Sequence, residues 1–430
     1  LKRPLEEAGE GPSSQRYRPQ TLKDVIMSAG LAHKAIEDDV SNISKLDSKE
    51  RVMVLNHLGR QVDKSDIYYS LPETARDLQK AGTDIQSLEL LSAPPGTRFP
   101  IVNNVDLYVR EEYKRLYQHI AINFTDPLEE NRIIVTGSPG IGKSAFLVYF
   151  VVRLLAESDD GKPPIIIFQE KEVTMCYVFG GTSIVRKGDI TVFDDLLNLP
   201  ETWYLSDSSK APVLKNSKTI MSASPKTLID TYQEATKQAP WYYYMTPWKL
   251  DELERCRSKV TSFKVVTHEF MERLYAKIGG IPRYVLEAPS IEIGRSKVAD
   301  IEVEAEANKE VVEAVALTEA CRSVNEAIKF VDEPHKLVAC IGNGKDTHVQ
   351  RTDPTQMAQY RPKHYHLRWG SNYIRQEIFE CLKDKTWSDL LKKLVGGGDE
   401  FSKGPLFELY IHRIFREGGS SFEVKDLENG

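Results

Sequence analysis

Gly137-Ser138-Pro139-Gly140-Ile141-Gly142-Lys143-Ser144 is the stretch that decides the fold. It is a complete G-x-x-x-x-G-K-[ST] match, the pattern of a phosphate-cradling loop. The chemistry requires this arrangement. A strand must deliver the loop, and Asn131 to Thr136 (NRIIVT) supplies one. Glycines at 137, 140 and 142 let backbone N–H groups turn inward around phosphates, where side chains would collide. Lys143 places a positive charge on the β- and γ-phosphates, and Ser144 offers a hydroxyl to Mg²⁺. The helix that follows presents its positive dipole end to the anion. Its residues Phe146 to Val152 are apolar all round, as in a helix buried beside a sheet. The whole loop, Gly137, Ser138, Pro139, Gly140, Ile141, Gly142, Lys143 and Ser144, is therefore the expected nucleotide site, with ATP and Mg²⁺ as its cofactors.

A second strand must bring an acid to the metal. Asp207 ends the run Trp203-Tyr204-Leu205-Ser206 and precedes a further apparent strand, Lys218 to Ala223. Asp194-Asp195 follows Ile190-Thr191-Val192-Phe193 and is the other candidate. Asp207 has the better strand–acid–loop–strand context. Ser208 follows it where many ATPases carry a water-orienting glutamate, so nucleotide binding is a firmer expectation than turnover. Trp241 to Trp248 (WYYYMTPW) reads as a strand leading into a helix from Lys249 to Arg257, its aromatics suiting a core better than a base-stacking surface. Arg283, in the turn Gly279-Gly280-Ile281-Pro282-Arg283, would suit a sensor of the γ-phosphate, since a guanidinium fork matches phosphate oxygens.

Outward from the loop, short apolar runs (Ile133 to Val135, Ile165 to Phe168, Trp203 to Leu205, Thr219 to Met221) alternate with helical patterns. That alternation predicts an α/β fold, a parallel sheet flanked by helices. Residues 1–20 are polar and rich in Gly, Pro and Ser, and read as a disordered leader. Residues 21–95 read as a helical region, with Asp47-Ser48-Lys49-Glu50 as a helix start, ending at the Ala93-Pro94-Pro95-Gly96 breaker. The nucleotide-binding core spans 96–275. Residues 276–400 turn helical again, with a solvated charge run from Asp300 to Phe330.

The composition sets limits. The 430 residues hold 57 Lys and Arg against 63 Asp and Glu, a net charge of −6, so any nucleic-acid contact must be a local patch. One such patch is Lys363-His364-Tyr365-His366-Leu367-Arg368-Trp369, which reads better as a helix edge packing on the core. No apolar run approaches the roughly 18 residues of a membrane span. The five cysteines are scattered without C-x-x-C spacing, which excludes zinc ribbons and redox dithiols and fits free thiols.

Beyond the loop itself, several phrases in order resemble the Crinkler effectors of oomycetes and some fungi, and more distantly the retrotransposon hot spot proteins of trypanosomes. They are Tyr108-Val109-Arg110-Glu111, the glycine loop, Trp203-Tyr204-Leu205-Ser206-Asp207, Ser222-Ala223-Ser224-Pro225, Tyr244-Met245-Thr246-Pro247-Trp248 with Leu250 and Leu253, and Gly279-Gly280-Ile281-Pro282-Arg283-Tyr284. The resemblance spans about residues 100–420. It implies a P-loop NTPase of the STAND and AAA-like class, in which Lys143, Asp207 and Arg283 are catalytic and Ser144 and Asp207 hold Mg²⁺. It implies that 276–400 is a helical lid or winged-helix-like region. It also implies that 401–430, from Gly404-Pro405-Leu406-Phe407-Glu408 onward, opens a restriction-endonuclease-like domain cut short, with Glu408 as a metal-holding carboxylate. By the same resemblance the protein is secreted, enters host cells, accumulates in the nucleus and promotes cell death or suppresses immunity. DNA and host nuclear proteins are the partners it implies, membranes are not, and assembly into homo-oligomers is expected. The family's N-terminal translocation module, with its leucine-rich delivery motif, is missing from the chain. The rival reading is a nucleotide-binding switch without hydrolysis that recruits host proteins.

Overall fold

The computed structural model describes residues 22–31, 40–124, 131–159, 161–170, 174–207, 212–224 and 241–299, with shorter pieces between 311 and 373. The leader 1–20, Ser208, most of the 363–369 patch, and the whole of 401–430 with Glu408 lie outside the described residues.

Helices α1 (Leu22–Ser28) and α2 (Ser48–Leu55) come first. Asp47 and Glu50 cap α2 reciprocally: Asp47 Oδ1 accepts from the Glu50 amide and Glu50 Oε2 from the Asp47 amide, both at 2.9 Å. The short strand β1 (Arg60–Gln61), helix α3 (Ser70–Ala81) and the antiparallel pair β2 (Leu90–Ser92) and β3 (Asp106–Tyr108) lead to α4 (Glu111–Asn123). Within 21–95 the described residues thus form α1, α2 and α3, with 60–61 and 90–92 as strands. These runs of two and three residues are too short to show alternation in the sequence.

Next come β4 (Arg132–Thr136), α5 (Lys143–Ala156), β5 (Ile165–Gln169), β6 (Met175–Gly180), β7 (Ile184–Asp189), α6 (Asp194–Leu197), β8 (Trp203–Asp207), β9 (Lys218–Ala223) and β10 (Trp241–Tyr244). Eight strands form one sheet in the order β1-β7-β6-β5-β8-β9-β4-β10. The parallel sheet expected from the sequence is present and is extended by antiparallel strands. Strands β5, β8, β9, β4 and β10 run parallel, whereas β6, β7 and β1 are added antiparallel. The reason is loop length, since a handful of residues joins β5 to β6 and β6 to β7, and a parallel crossover needs a dozen or more. Ile190–Phe193, read above as a strand before Asp194, is instead a 3-10 turn. Asp189 caps it by accepting from the Thr191 amide, and that capping bond outcompetes the β preference of the run.

The sheet is covered on both faces, with residue alternation dividing them. Ile165, Ile167 and Tyr204 join α1, α2 and α6 in one cluster, while Ile166, Phe168, Trp203 and Leu205 join α3, α4 and α5 in the larger one. Helix α5 is buried from Phe146 to Val152 without exception. Beyond the sheet lie α7 (Leu250–Lys259), α8 (His268–Ile278) and α9 (Ala288–Ala299). In the later segment, most of which lies outside the described residues, Gly342–Asn343 and Leu367–Arg368 pair as short antiparallel strands. Leu367 and Arg368, read as a helix edge, belong to this pair, whose two-residue strands carry no periodic signal.

Strand β4 is where the strand order reverses. The chain leaves it toward β5, three places away, and returns as β10 on its other side. In open α/β sheets ligands sit outside the carboxyl ends of strands at such a point. The core that holds this point gives a direct test. Phe150 is fully buried with its ring 5.1 Å from that of Trp203. Truncating it to alanine should cost about 3–5 kcal/mol in urea denaturation. Met53→Ala, at a position 47% exposed, should stay within about 0.5 kcal/mol of the parent.

Candidate functional site

The loop after β4 is held by its neighbours as much as by its own sequence. The Met245 amide donates to the Thr136 carbonyl at 2.8 Å, so β10 fixes the strand end from which the loop departs. Gly137 has φ 143°, and a Cβ there would lie 2.8 Å from the Met245 carbonyl oxygen. Gly142, at φ 107°, is packed under the Tyr113 hydroxyl, which donates to its carbonyl at 2.7 Å. The Trp248 indole N–H donates to the Ile141 carbonyl at 2.8 Å. Glycine is needed at 137 and 142 for conformation and for space together.

Lys143 is buried, and its Nζ donates to the carbonyls of Gly137 at 2.8 Å and Ser138 at 2.9 Å. Burial pulls its pKa down to about 8, Asp207 opposing the shift and Arg283 adding to it. The next residue faces the acid: Ser144 Oγ donates to Asp207 Oδ1 at 2.7 Å. Ser222, at the end of β9, donates to the same oxygen at 2.5 Å. Asp207 ends β8, and β9 alone separates that strand from β4, so both strand ends open on one crevice. Asp194, the alternative acid, is elsewhere. It begins α6 and pairs with Lys215 at 2.9 Å. Burial and the neighbouring Asp194 raise the pKa of Asp195.

Arg283 also reaches the loop. Its amide lies 3.4 Å from the Gly140 carbonyl, and its side chain is half-exposed, 3.9 Å from Glu287. Residues Arg283–Glu287 form a single π-helical turn, a distortion frequent at functional sites. Lys143, Ser144, Asp207 and Arg283 thus converge, although 140 residues separate the first from the last. Among the described residues no group of three or more His, Cys, Asp or Glu could hold a metal. One hydroxyl beside one carboxylate does fit magnesium, which keeps several waters and takes substrate phosphates for the rest.

The sequence reading assigned no role to the element that braces this site. Arg110 is 2% exposed, yet charged. It meets Glu112 at 2.7 Å and Glu252 at 2.7 and 3.1 Å, and lies over the Trp248 ring at 4.6 Å. Burial would lower its pKa, but the two carboxylates outweigh that and hold it above the usual arginine value. Glu112 in turn accepts from the Tyr243 hydroxyl and the Thr246 amide, each at 3.0 Å. The only signal was the phrase Tyr108-Val109-Arg110-Glu111; an arginine before a helix gives no sign in sequence that it is buried.

No protein-family profile matches the chain. It is similar to Crinkler effector protein 15 of Phytophthora infestans, at 27% identity over 344 residues, which are 77% of this chain and 49% of that protein. It is also 27% identical over 195 residues to Crinkler effector protein 16 of the same organism, covering 44% of this chain and 29% of the relative. The chain therefore aligns with at most about half the length of these relatives. Among the described residues no helix is long and apolar enough to cross a membrane.

Two outcomes follow from this geometry. Arg110→Ala leaves the buried Glu112 and the partly buried Glu252 without their partner and should lose about 3–5 kcal/mol in denaturant unfolding. For Lys143 the sign is set by its lowered pKa. Below about 8 the unliganded loop carries a charged ammonium, and above it phosphates meet a neutral amine that must first take up a proton. Affinity for a polyphosphate should therefore fall above pH 8, by at most about tenfold per unit for a single proton. A pH titration of binding by calorimetry checks this, and Lys143→Arg should flatten the profile because guanidinium stays charged.

Proposed function

We propose that this chain is a Mg²⁺-dependent P-loop nucleotide-binding module, an ATPase, of a Crinkler-like effector. The observation that supports it most is the contact of Ser144 with Asp207 beside a buried Lys143, the three groups a nucleotide–magnesium complex needs, brought together by the start of α5 and the end of β8. Lys143 would release the carbonyls of Gly137 and Ser138 and neutralise the β- and γ-phosphates. Ser144 and Asp207 would hold the metal. Arg283 would meet the γ-phosphate from the π-turn. A magnesium ion held by Ser144 and Asp207 would supply charge neutralisation to the phosphates.

The likeness to proteins named Crinkler effectors supports placing the chain in a secreted oomycete protein that acts inside host cells. In that reading the nucleotide state gates the C-terminal region, a nuclease-like domain beginning near Glu408, with the host nucleus as the place of action and cell death or suppressed immunity as the outcome. The rival is a switch that binds nucleotide without cleaving it. Ser208 favours the rival, because it follows the acid where a water-orienting glutamate would stand.

Steady-state ATP turnover with Mg²⁺ separates the two. An ATPase should lose roughly 100-fold or more of its rate on Lys143→Ala, the scale of removing one preorganised group from a charge-stabilising site. Equal inactivity of both proteins, with tight ATP retention by the parent alone, would establish the switch. No ATP binding by the parent chain would sink both readings.

A further inference from the structure

The cavity that opens on Lys143 and Ser144, about 190 Å³ in volume, extends past the glycine loop. Part of its lining is apolar, supplied by Val102, Leu107, Val260 and Phe263. The phosphate chemistry described above uses none of these residues. This lining is also where the backbone is most unusual. Ile101 and Asn103 have φ of 68° and 48°, the two non-glycine positive values among the described residues. For a β-branched residue such as Ile101 this is a strained conformation, and strain of this kind gathers at ligand clamps.

The polar groups around this lining already have partners within the protein. Asp106 accepts from the Ser92 hydroxyl at 2.8 Å and from the Thr261 amide at 3.1 Å. The Asn104 side-chain amide donates to Ser262 at 2.8 Å. In the strained turn, the amides of Val102 and Asn103 donate to the carbonyls of Pro100 and Phe99, and the Asn104 carbonyl accepts from Phe99. The apolar side chains of Val102, Leu107, Val260 and Phe263 suit a flat ring, and they line the same cavity as Lys143 and Ser144, which suit phosphates.

Resting on the nucleotide reading, we propose that the arm between Val102 and Phe263 is the nucleobase subsite and that it holds the base by shape and apolar contact. A site that hydrogen-bonds a substrate's edge can reject an analogue by about 10⁴-fold or more, whereas an apolar one discriminates by roughly 10–200-fold at most. Adenine and guanine, alike in shape and differing in edge groups, are therefore accepted almost equally.

Calorimetric titration of the full chain with Mg²⁺ and ATP, GTP or inorganic tripolyphosphate tests this. ATP and GTP should bind within about tenfold of each other, and both tighter than tripolyphosphate. Phe263→Ala should weaken both nucleotides by roughly tenfold, the scale of losing a partly buried aromatic side chain, and leave tripolyphosphate within twofold. Val102→Asp, at a partly exposed position of the same lining, should do the same and guards against a folding defect in the first variant. The subsite is overturned if tripolyphosphate binds as tightly as ATP, if both variants leave ATP unchanged, if they weaken tripolyphosphate as much as ATP, or if ATP is preferred over GTP by more than 100-fold. If none of the three ligands binds, the nucleotide reading itself fails, and this inference with it.

Discussion

A buried arginine holds the site together. Arg110 lies just before α4, Glu252 on α7, and Trp248 in the segment after β10, yet the Arg110 guanidinium touches both of the others. A charge removed from water costs several kcal/mol unless it is paired and its donors are used. Here they are used: two carboxylates and the Thr246 carbonyl, at 3.3 Å, take up its donors. That satisfaction orients Trp248, whose indole N–H then fixes the Ile141 carbonyl in the middle of the glycine loop. The loop's shape is thus imposed from outside, by groups distant in sequence, as well as by its glycines.

The loop without phosphate is a self-capped structure. Lys143 cannot leave its ammonium unpaired at this depth, so it folds onto the Gly137 and Ser138 carbonyls. Those bonds compensate incompletely for desolvation, which is why the pKa sits near 8. An incoming phosphate offers a better partner than two neutral carbonyls, because charge-assisted hydrogen bonds are about twice as strong as neutral ones. Asp207 stands in the same position, with two serine hydroxyls on one oxygen where a cation would be a stronger partner. Both groups are preorganised and only partly satisfied, the condition in which a ligand gains most.

How much of this could be read in the sequence depended on whether a signal was local. The loop, its strand and α5 are contiguous, and the phosphate pattern carries its meaning in eight residues. The end of β8 at Asp207 was legible because a strand pattern precedes it; the weaker candidate, Asp194, follows a 3-10 turn at Ile190–Phe193. Strand β7 was missed because Arg186 and Lys187 interrupt its apolar residues and its burial does not alternate. Arg186 donates to the Leu58 and Gly59 carbonyls, a tertiary contact that sequence periodicity does not encode. Arg110 is the extreme case: its role is fixed by Glu112 nearby and by Glu252, 142 residues away in the chain. The clamp and the apolar arm behind Val102 exist only once the chain has folded.

The same contacts give the loop a short path to the C-terminal region. Gly280 is packed so closely under the Trp248 backbone that no side chain fits there, and the Trp248 amide donates to the Gly280 carbonyl at 2.9 Å. Three residues on, Arg283 sits against Gly140 and begins the π-turn that leads into α9. On the other side of Gly280, α8 ends at Ile278, and Lys277 beside that end lies 4.6 Å from the Tyr373 ring and accepts at its carbonyl from the Ser371 hydroxyl. A ligand moves such a path only through contacts that differ between its free and bound states. The weakest contact along it is that of Arg283 with Glu287, 3.9 Å apart and both half-exposed. A γ-phosphate would compete with Glu287 for one guanidinium, and the π-turn that carries both residues is the element whose geometry that competition would change.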